Sequence, residues 1–193
     1  MSANSYGIIV EGGYDSVAYE AMIRRLAAPG AHIRSFVCRG KPQLMAKFPG
    51  FLEALKYEIA GGPVDMAIVI VDADGHDPVK LEGKLQSRIK GRRYPFDLGV
   101  RFHAVRNALE AWLLADVNAI NAAIQRRFGP PVTRSHDTPE DMPNPKVWLR
   151  KLLADHKIIY TPEVGREIAQ DTNLEVLCEK CPRFRIFREL VDC

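Results

Sequence analysis

The sequence is most informative at residues 66–71, which read Met-Ala-Ile-Val-Ile-Val and lead into Asp72, Ala73 and Asp74. A continuous apolar run of this length, rich in β-branched residues, is typical of a parallel strand that is buried on both faces. Gly75 then favours a turn. We therefore predict a buried strand whose carboxyl end carries two acidic side chains.

Similar elements alternate with helices around this strand. Three further strands are predicted at residues 6–10, 33–38 and 100–105. Helices are predicted between the strands at residues 16–26, 44–59 and 79–91. Such alternation implies βαβ crossovers and a parallel sheet covered by helices. The predicted fold class is α/β, with a four-stranded, mainly parallel, Rossmann-like sheet flanked by helices.

The rest of the chain has helical patterns. Helical segments are predicted at residues 109–114, 117–128 and 147–156 and from residue 162 onward, with a proline-rich loop before the third. We predict an α/β core over residues 1–116 and a helical extension over residues 117–193, packed on the core as one compact unit.

Composition excludes a disordered chain. The 193 residues include 47% hydrophobic residues, and 27 Lys and Arg stand against 24 Asp and Glu. A net charge of +3 is too small to identify a nucleic-acid partner. The positive excess lies in the first 106 residues, with fifteen basic and eleven acidic residues, but it also suits a solvated helix face.

The compartment is predicted from what the sequence lacks. It shows no signal peptide and no stretch near the about 18 apolar residues of a membrane span, so we expect a reducing cytoplasm and no membrane partner. Cys178 and Cys181 form a single pair, whereas a structural zinc site needs four ligands, so we assign them to helix packing.

Acidic side chains follow the predicted strands at one end. Glu11 comes directly after the first strand, and Asp72 and Asp74 come after the third. Sites in open parallel sheets form beyond the carboxyl ends of strands. Residues two apart on an extended chain point the same way, so Asp72 and Asp74 should face one side together. If the first and third strands are neighbours, the three carboxylates converge.

Two further acids accompany them. Asp15 lies at the start of the first helix, and Glu110 follows the fourth strand. Clustered carboxylates raise each other's pKa, and a hard divalent cation such as Mg²⁺ or Mn²⁺ relieves the repulsion. Gly12 and Gly13 would let a phosphate approach the helix start. Simpler roles compete: an acid suits a helix N-terminus, and Asp-Gly is a common turn pair.

Two of these motifs resemble those of Toprim domains. Residues 10–15, Val-Glu-Gly-Gly-Tyr-Asp, are similar to the Toprim Val-Glu-Gly-x-x-Asp motif, and residues 69–74 are similar to the Asp-x-Asp strand. The most similar versions are those of OLD-like Toprim nucleases and of a related family of small bacterial proteins of unknown function. That small family continues with Glu-x-Trp-Leu-Leu-x-Asp, as residues 110–116 do, and the resemblance covers essentially the whole chain.

The resemblance implies a Toprim-like core that binds Mg²⁺ or Mn²⁺ and acts on phosphodiester bonds. By position, Glu11 matches the Toprim glutamate, a metal ligand or general acid and base, and Asp72 and Asp74 match the metal-binding pair. Asp15 matches an acidic position that assists metal binding, and Glu110 matches a glutamate that contributes to a second metal. Catalysis would then fall to Glu11 and Asp72.

The leading hypothesis is therefore a metal-dependent nuclease, with DNA favoured over RNA. Arg39, Lys41 and Arg106 lie near the carboxyl ends of strands and could hold phosphates, although plain surface charge explains them as well. OLD enzymes carry a fused ATPase, whereas no Walker motif occurs here, so an ATPase would be a separate polypeptide, as in a bacterial defence system. The resemblance also suggests a homodimer.

Two other functions stay open at this point. One is a non-catalytic Toprim-like module that binds and regulates an ATPase or a nucleic-acid end. The other is a small metal-dependent phosphoesterase, which would favour a closed pocket over a basic groove. His76 is expected to be a loop residue and His103 a structural one.

Overall fold

Four parallel strands form a single sheet in the computed structural model, which describes residues 3–57, 62–132 and 136–192. The strands are β1 (Ser5–Val10), β2 (His32–Val37), β3 (Met66–Asp72) and β4 (Val100–Val105). Their order is β2-β1-β3-β4, and the three pairings are parallel. The predicted α/β class is confirmed, and β1 and β3 are the neighbours that convergence of the acids requires.

Helices that connect the strands cover both faces of the sheet. They are α1 (Gly13–Leu26), α2 (Lys41–Ala54) with a 3₁₀ turn at Leu55–Tyr57, and α3 (Pro78–Arg88). Ile9 packs in one core with α2, while Ile8 and Val10 pack in the other core with α1. Because side chains alternate along a strand, β1 must be apolar on both sides. Residues 58 and 59 of the predicted second helix lie outside the described residues.

In the described part of the chain, six helices follow β4. They are α4 (Glu110–Leu113), α5 (Val117–Gln125), α6 (Pro145–Asp155), α7 (Pro162–Asp171), α8 (Leu174–Lys180) and α9 (Pro182–Val191). Arg25 of α1 donates hydrogen bonds to the carbonyl oxygens of Ala169 and Thr172 at 2.9 and 2.6 Å. Tyr6 of β1 donates to the carbonyl of Val191 at 3.1 Å. The predicted extension therefore contacts the sheet and its first helix.

A buried glutamate joins these helices to the end of the sheet. Glu140 accepts hydrogen bonds from Trp112 Nε1 at 2.8 Å and from the backbone N–H of Arg183 at 3.1 Å. Arg183 in turn donates from Nε to the carbonyl of Ala104 in β4 at 2.9 Å and pairs with Glu82. These contacts hold the carboxyl end of β4 in place.

His103 lies inside this apolar region, as its predicted structural role requires. Its fully buried ring lies 5.7 Å from the Trp112 ring and 5.2 Å from the Phe187 ring. Burial, assisted by the charge of Arg183, holds the pKa of His103 well below its usual value, so the imidazole is neutral. None of the helices in the described ranges is long and apolar enough to cross a membrane.

Candidate functional site

Glu11 and Asp72 lie side by side at the carboxyl edge of the sheet. Glu11 directly follows β1, and Asp72 is the last residue of β3. The backbone N–H of Asp72 donates to Glu11 Oε1 at 2.9 Å. The parallel pairing of β1 with β3 therefore brings the two acidic motifs together, at the edge where open α/β sheets bind ligands.

Asp15 and Glu110 form a second, more deeply buried pair of acids. Asp15 lies in the first turn of α1 and is 8% exposed, while Glu110 begins α4 and is 1% exposed. Burial, followed by the charge of Glu110, raises the pKa of Asp15 to about 7. Glu11 acts in the same direction, while Lys146 and the backbone of Gly12 oppose the rise.

The two pairs belong to one electrostatic cluster. Burial comes first among the causes that raise the pKa of Asp72 well above its usual value, and the charges of Asp15, Glu11, Glu110 and Asp74 follow. Burial also raises the pKa of Glu11, against the Asp72 hydrogen bond and the charge of Lys41. Like charges in a desolvated site disfavour ionisation. A bound cation would reverse that penalty.

Lys146 of α6 faces Glu110 from the other side of the cluster. Its Nζ atom lies 3.2 Å from Glu110 Oε1, and it also lies 5.2 Å from the centre of the Tyr14 ring. Neither oxygen of Glu110 has a hydrogen-bond partner among the described residues, so the contact is an ion pair without hydrogen-bond geometry. Our sequence analysis missed Lys146, for which the only signal was a basic residue at a helix start after prolines.

Asp74 is placed differently from Asp72. The strand ends at Asp72, and Asp74 has a left-handed backbone with φ of 48°, so the strand alternation that we used to align the two side chains does not extend to it. Asp74 is exposed and forms an ion pair with Lys41. Its charge nevertheless raises the pKa of both Glu11 and Asp72, so it lies at the margin of the cluster.

The three predicted phosphate-binding cations are not equivalent. Lys41 contacts the cluster through Asp74. Arg39 is exposed, and its backbone N–H donates to Gln43 Oε1 at 2.6 Å. Arg106 pairs with Asp141 at 2.9 Å and lines a cavity of about 540 Å³ that also includes His76. Within the described residues, neither arginine has an ion pair with the clustered acids.

Gly12 and Gly13 differ in the space around them. Gly12 precedes α1, and a Cβ atom at this position would lie 3.1 Å from Asp15 Oδ2. A Cβ atom on Gly13 would meet nothing within 4 Å. The absence of a side chain at Gly12 therefore gives room to the Asp15 carboxylate, whereas Gly13 leaves the surface open.

Two buried tyrosines missed by our sequence analysis also border the acids. Burial and then the charge of Asp72 raise the pKa of Tyr19, whose hydroxyl has no hydrogen-bond partner in the described part of the chain. Burial and then the charge of Glu110 raise the pKa of Tyr160. Nothing in the local sequence relates either tyrosine to the acidic motifs, because helix packing brings them there.

The sequence model of a family described as a domain of unknown function, DUF4276, matches residues 10–192. The chain belongs to this family. The matched range contains all of the clustered acids together with Lys146. No curated protein and no solved structure matches the chain.

The donor set of this DUF4276 chain suits a hard divalent cation. The acids supply carboxylate oxygens, and two buried ones on Glu110 have no hydrogen bond from the residues that the structure describes. Oxygen ligands are those that Mg²⁺ and Mn²⁺ prefer. In the described ranges, however, no group of three or more His, Cys, Asp or Glu side chains is arranged to hold a metal ion. An ion held by three or more of these carboxylates would require the side chains to move closer together, whereas Mg²⁺ can be held by one or two carboxylates with water.

Proposed function

We propose that this DUF4276 protein is a Mg²⁺- or Mn²⁺-dependent phosphodiester hydrolase of the Toprim type that acts on nucleic acid, with DNA favoured over RNA as the substrate to test first. One observation carries the proposal: Glu11, Asp15, Asp72 and Glu110 converge at the carboxyl edge of the sheet, and their charges raise the pKa of Asp72. Such repulsion opposes folding, and violations of this kind concentrate at functional sites. The resemblance of residues 10–15 and 69–74 to Toprim motifs supports the same activity.

The cluster contains enough carboxylates for one or two ions. Glu11, Asp72 and Asp74 would hold the first ion, and Asp15 and Glu110 would contribute to a second. A bound divalent cation supplies Lewis acidity at the phosphate and neutralises negative charge.

The chain's own residues would position the substrate and exchange protons. Lys41 and Lys146 form ion pairs with two different acids of the cluster, Asp74 and Glu110. Once released from these carboxylates, the two ammonium groups would bind phosphate oxygens. In the metal-free protein the pKa of Asp15 is about 7, so its carboxyl group is partly protonated near neutral pH and would release that proton when a second ion binds. Glu11 and Asp72 would hold the first ion, and by its position in the Toprim-like motif Glu11 is also the residue proposed to exchange a proton with the substrate.

Cleavage of supercoiled plasmid DNA tests this proposal. We expect nicking in Mn²⁺ or Mg²⁺ but not in EDTA, and we expect Glu11→Ala and Asp72→Ala each to lower the rate by at least about 100-fold. Asp97→Asn is the matched control, because Asp97 is exposed and precedes β4 at the opposite edge of the sheet. A crystal soaked in millimolar Mn²⁺ should show an anomalous peak between Glu11 and Asp72. Absence of both the peak and the nicking would refute the proposal.

The same assays separate the alternative functions. DNA binding without cleavage in either metal would favour a regulatory binding module. Hydrolysis of small phosphate esters without DNA cleavage would favour a phosphoesterase. A separate ATPase and a homodimer remain predictions, and repeating the plasmid assay with a co-expressed ATPase would show whether activity depends on such a partner.

A further inference from the structure

Phe128 and Ile159 are the most exposed of the large apolar side chains in the described ranges, at 98% and 81%. Both line one cavity of about 750 Å³ beside α5, α6 and α7. A single exposed apolar residue needs no explanation. Two such residues on one cavity do need an explanation. Phe128 also has a left-handed backbone with φ of 60°, which is uncommon for a bulky residue.

This cavity continues toward the acidic cluster. A second cavity of about 510 Å³ shares Lys157, Ile158 and Ile159 with the first and extends to Tyr14 and Tyr160. We call the two cavities together the apolar groove. Lys146 separates its inner end from the cluster, because the Lys146 Nζ atom lies 5.2 Å from the Tyr14 ring centre and 3.2 Å from Glu110 Oε1.

Two exposed cations line the groove. Arg150 and Lys157 are exposed, and their side chains have no ion pair or hydrogen bond with any residue that the structure describes. Arg127, at the outer end, is instead bonded to Glu167 at 2.8 Å. The groove thus combines apolar and aromatic surface with a net positive charge, since Arg150 and Lys157 outnumber the one acid in its lining, the exposed Asp155.

That combination matches the two parts of an unpaired nucleic-acid strand. Bases stack on apolar and aromatic side chains, and phosphates bind lysine and arginine. A duplex keeps its base faces stacked internally, so it would leave Phe128 and Ile159 without a partner.

We propose that the apolar groove binds single-stranded nucleic acid, with bases against Tyr14, Ile159 and Phe128 and phosphates at Arg150 and Lys157. Delivery of the strand to the acidic cluster rests on the proposed nuclease function, whereas binding in the groove does not. The substrate class is then a single strand or the unpaired end of a duplex.

Fluorescence anisotropy in EDTA tests binding without cleavage. The probe is a fluorescein-labelled oligothymidylate of about 20 nucleotides, which spans more than one typical single-strand site. We expect Phe128→Ala and Lys157→Glu each to weaken binding by at least about fivefold, because stacking and phosphate contacts are lost. A duplex of the same length should bind more weakly than the single strand. Thermal unfolding checks that both surface variants fold normally.

Two matched controls lie on the other face of the sheet. Tyr57→Ala removes an aromatic ring that is 76% exposed, and Lys84→Glu reverses an exposed charge on α3. Both should leave binding of the oligonucleotide unchanged. If the control variants weaken oligonucleotide binding as much as the groove variants do, the proposal is overturned, because the oligonucleotide would then bind to the protein surface without a preferred site.

Two other results would also overturn it. One is equal affinity for duplex and single strand. The other is a dimer in light scattering that Phe128→Ala converts to a monomer without any effect on binding of the oligonucleotide, because the groove would then be a contact between two copies of the chain. Normal oligonucleotide binding by a protein that never cuts DNA in Mn²⁺ contradicts the nuclease function alone. If the original protein cuts DNA but Phe128→Ala and Lys157→Glu bind the oligonucleotide normally, the result contradicts binding in the apolar groove and leaves the nuclease function standing.

Discussion

Lys146 Nζ lies 3.2 Å from Oε1 of Glu110, and the two side chains differ sharply in exposure. The carboxylate of Glu110 is 1% exposed, whereas the Lys146 side chain is 41% exposed and can turn into solvent. Lys146 therefore supplies a counter-charge to a buried acid without being buried itself. In the metal-free protein Lys146 neutralises part of the negative charge of the acids, which a bound divalent cation would otherwise neutralise.

Replacement of Lys146 should strengthen ion binding. Because an ammonium group beside the acids competes with a cation, we expect Lys146→Gln to tighten Mn²⁺ binding by about threefold to tenfold in titration calorimetry. DNA cleavage should fall even so, since Lys146 is proposed to bind phosphate. Lys151→Gln, on the exposed face of the same helix, is the control and should change neither quantity. Weaker Mn²⁺ binding by Lys146→Gln would show that the Lys146 ammonium group does not compete with the metal ion for the acids.

The pKa of Asp15 predicts how stability depends on pH. Asp15 ionises at about 7 in the folded protein against an ordinary value of 3.8, so the folded state keeps a proton that the unfolded chain releases between these values. Stability contributed by Asp15 is therefore complete below pH 3.8 and is lost as pH rises toward 7. In EDTA at pH 8, Asp15→Asn should exceed the original protein in free energy of unfolding by up to about 4 kcal/mol.

Urea titrations at several pH values check this expectation. The difference between Asp15→Asn and the original protein should shrink toward zero near pH 4, where the carboxyl is protonated in both states. Asp97→Asn, at an exposed position, should show no such trend. A difference that stays constant from pH 4 to pH 8 would mean that the folded environment does not raise the pKa of Asp15.

Gly12 and Gly13 provide a matched pair of substitutions. Gly12→Ala places a Cβ atom 3.1 Å from Asp15 Oδ2, so the carboxylate must shift. We expect Mn²⁺ affinity to fall by about tenfold while stability changes by less than about 1 kcal/mol, because the φ of −150° at Gly12 suits any residue. Gly13→Ala should leave Mn²⁺ affinity unchanged and stabilise α1 slightly, since alanine favours helix. Similar calorimetric affinities for both variants would show that Asp15 takes no part in binding.

Glu140 should matter for stability but not for chemistry. Glu140→Ala leaves the indole N–H of Trp112 and the backbone N–H of Arg183 buried without acceptors, and we expect a loss of about 3 kcal/mol in the free energy of unfolding. Asp141→Ala removes a surface ion pair with Arg106 and should lower the free energy of unfolding by less than about 1 kcal/mol. Equal losses for the two variants would argue against the anchoring role of Glu140.

Much of the fold was predictable because its signals are local. The apolar run at residues 66–71 became β3, extended by one residue to Asp72, and the strand predicted at residues 100–105 has those bounds. We predicted that Glu11 and Asp72 lie close together if the first and third strands are neighbours, and the pairing of β1 with β3 meets that condition. Strand alternation failed at Asp74, because its left-handed backbone ends the extended geometry that the rule requires.

Other features of the site could not be predicted in this way. Arg39 and Arg106 lie near strand ends in the sequence, but their ion pairs depend on which residues the fold places beside them. Arg106, for example, pairs with Asp141. Tyr19 reaches the acids only because α1 packs on the sheet.

Residue pattern and chain order were enough to predict the strands, the parallel arrangement of the sheet and the position of Glu11 and Asp72 at its carboxyl edge. These follow from side-chain periodicity and chain connectivity, which are read along the chain. Three relations could be seen only in the folded protein: Glu110 is buried beside Asp15, Lys146 pairs with Glu110, and Phe128 and Ile159 line one groove. Those relations depend on how helices distant in the sequence pack, and packing is a property of the whole molecule.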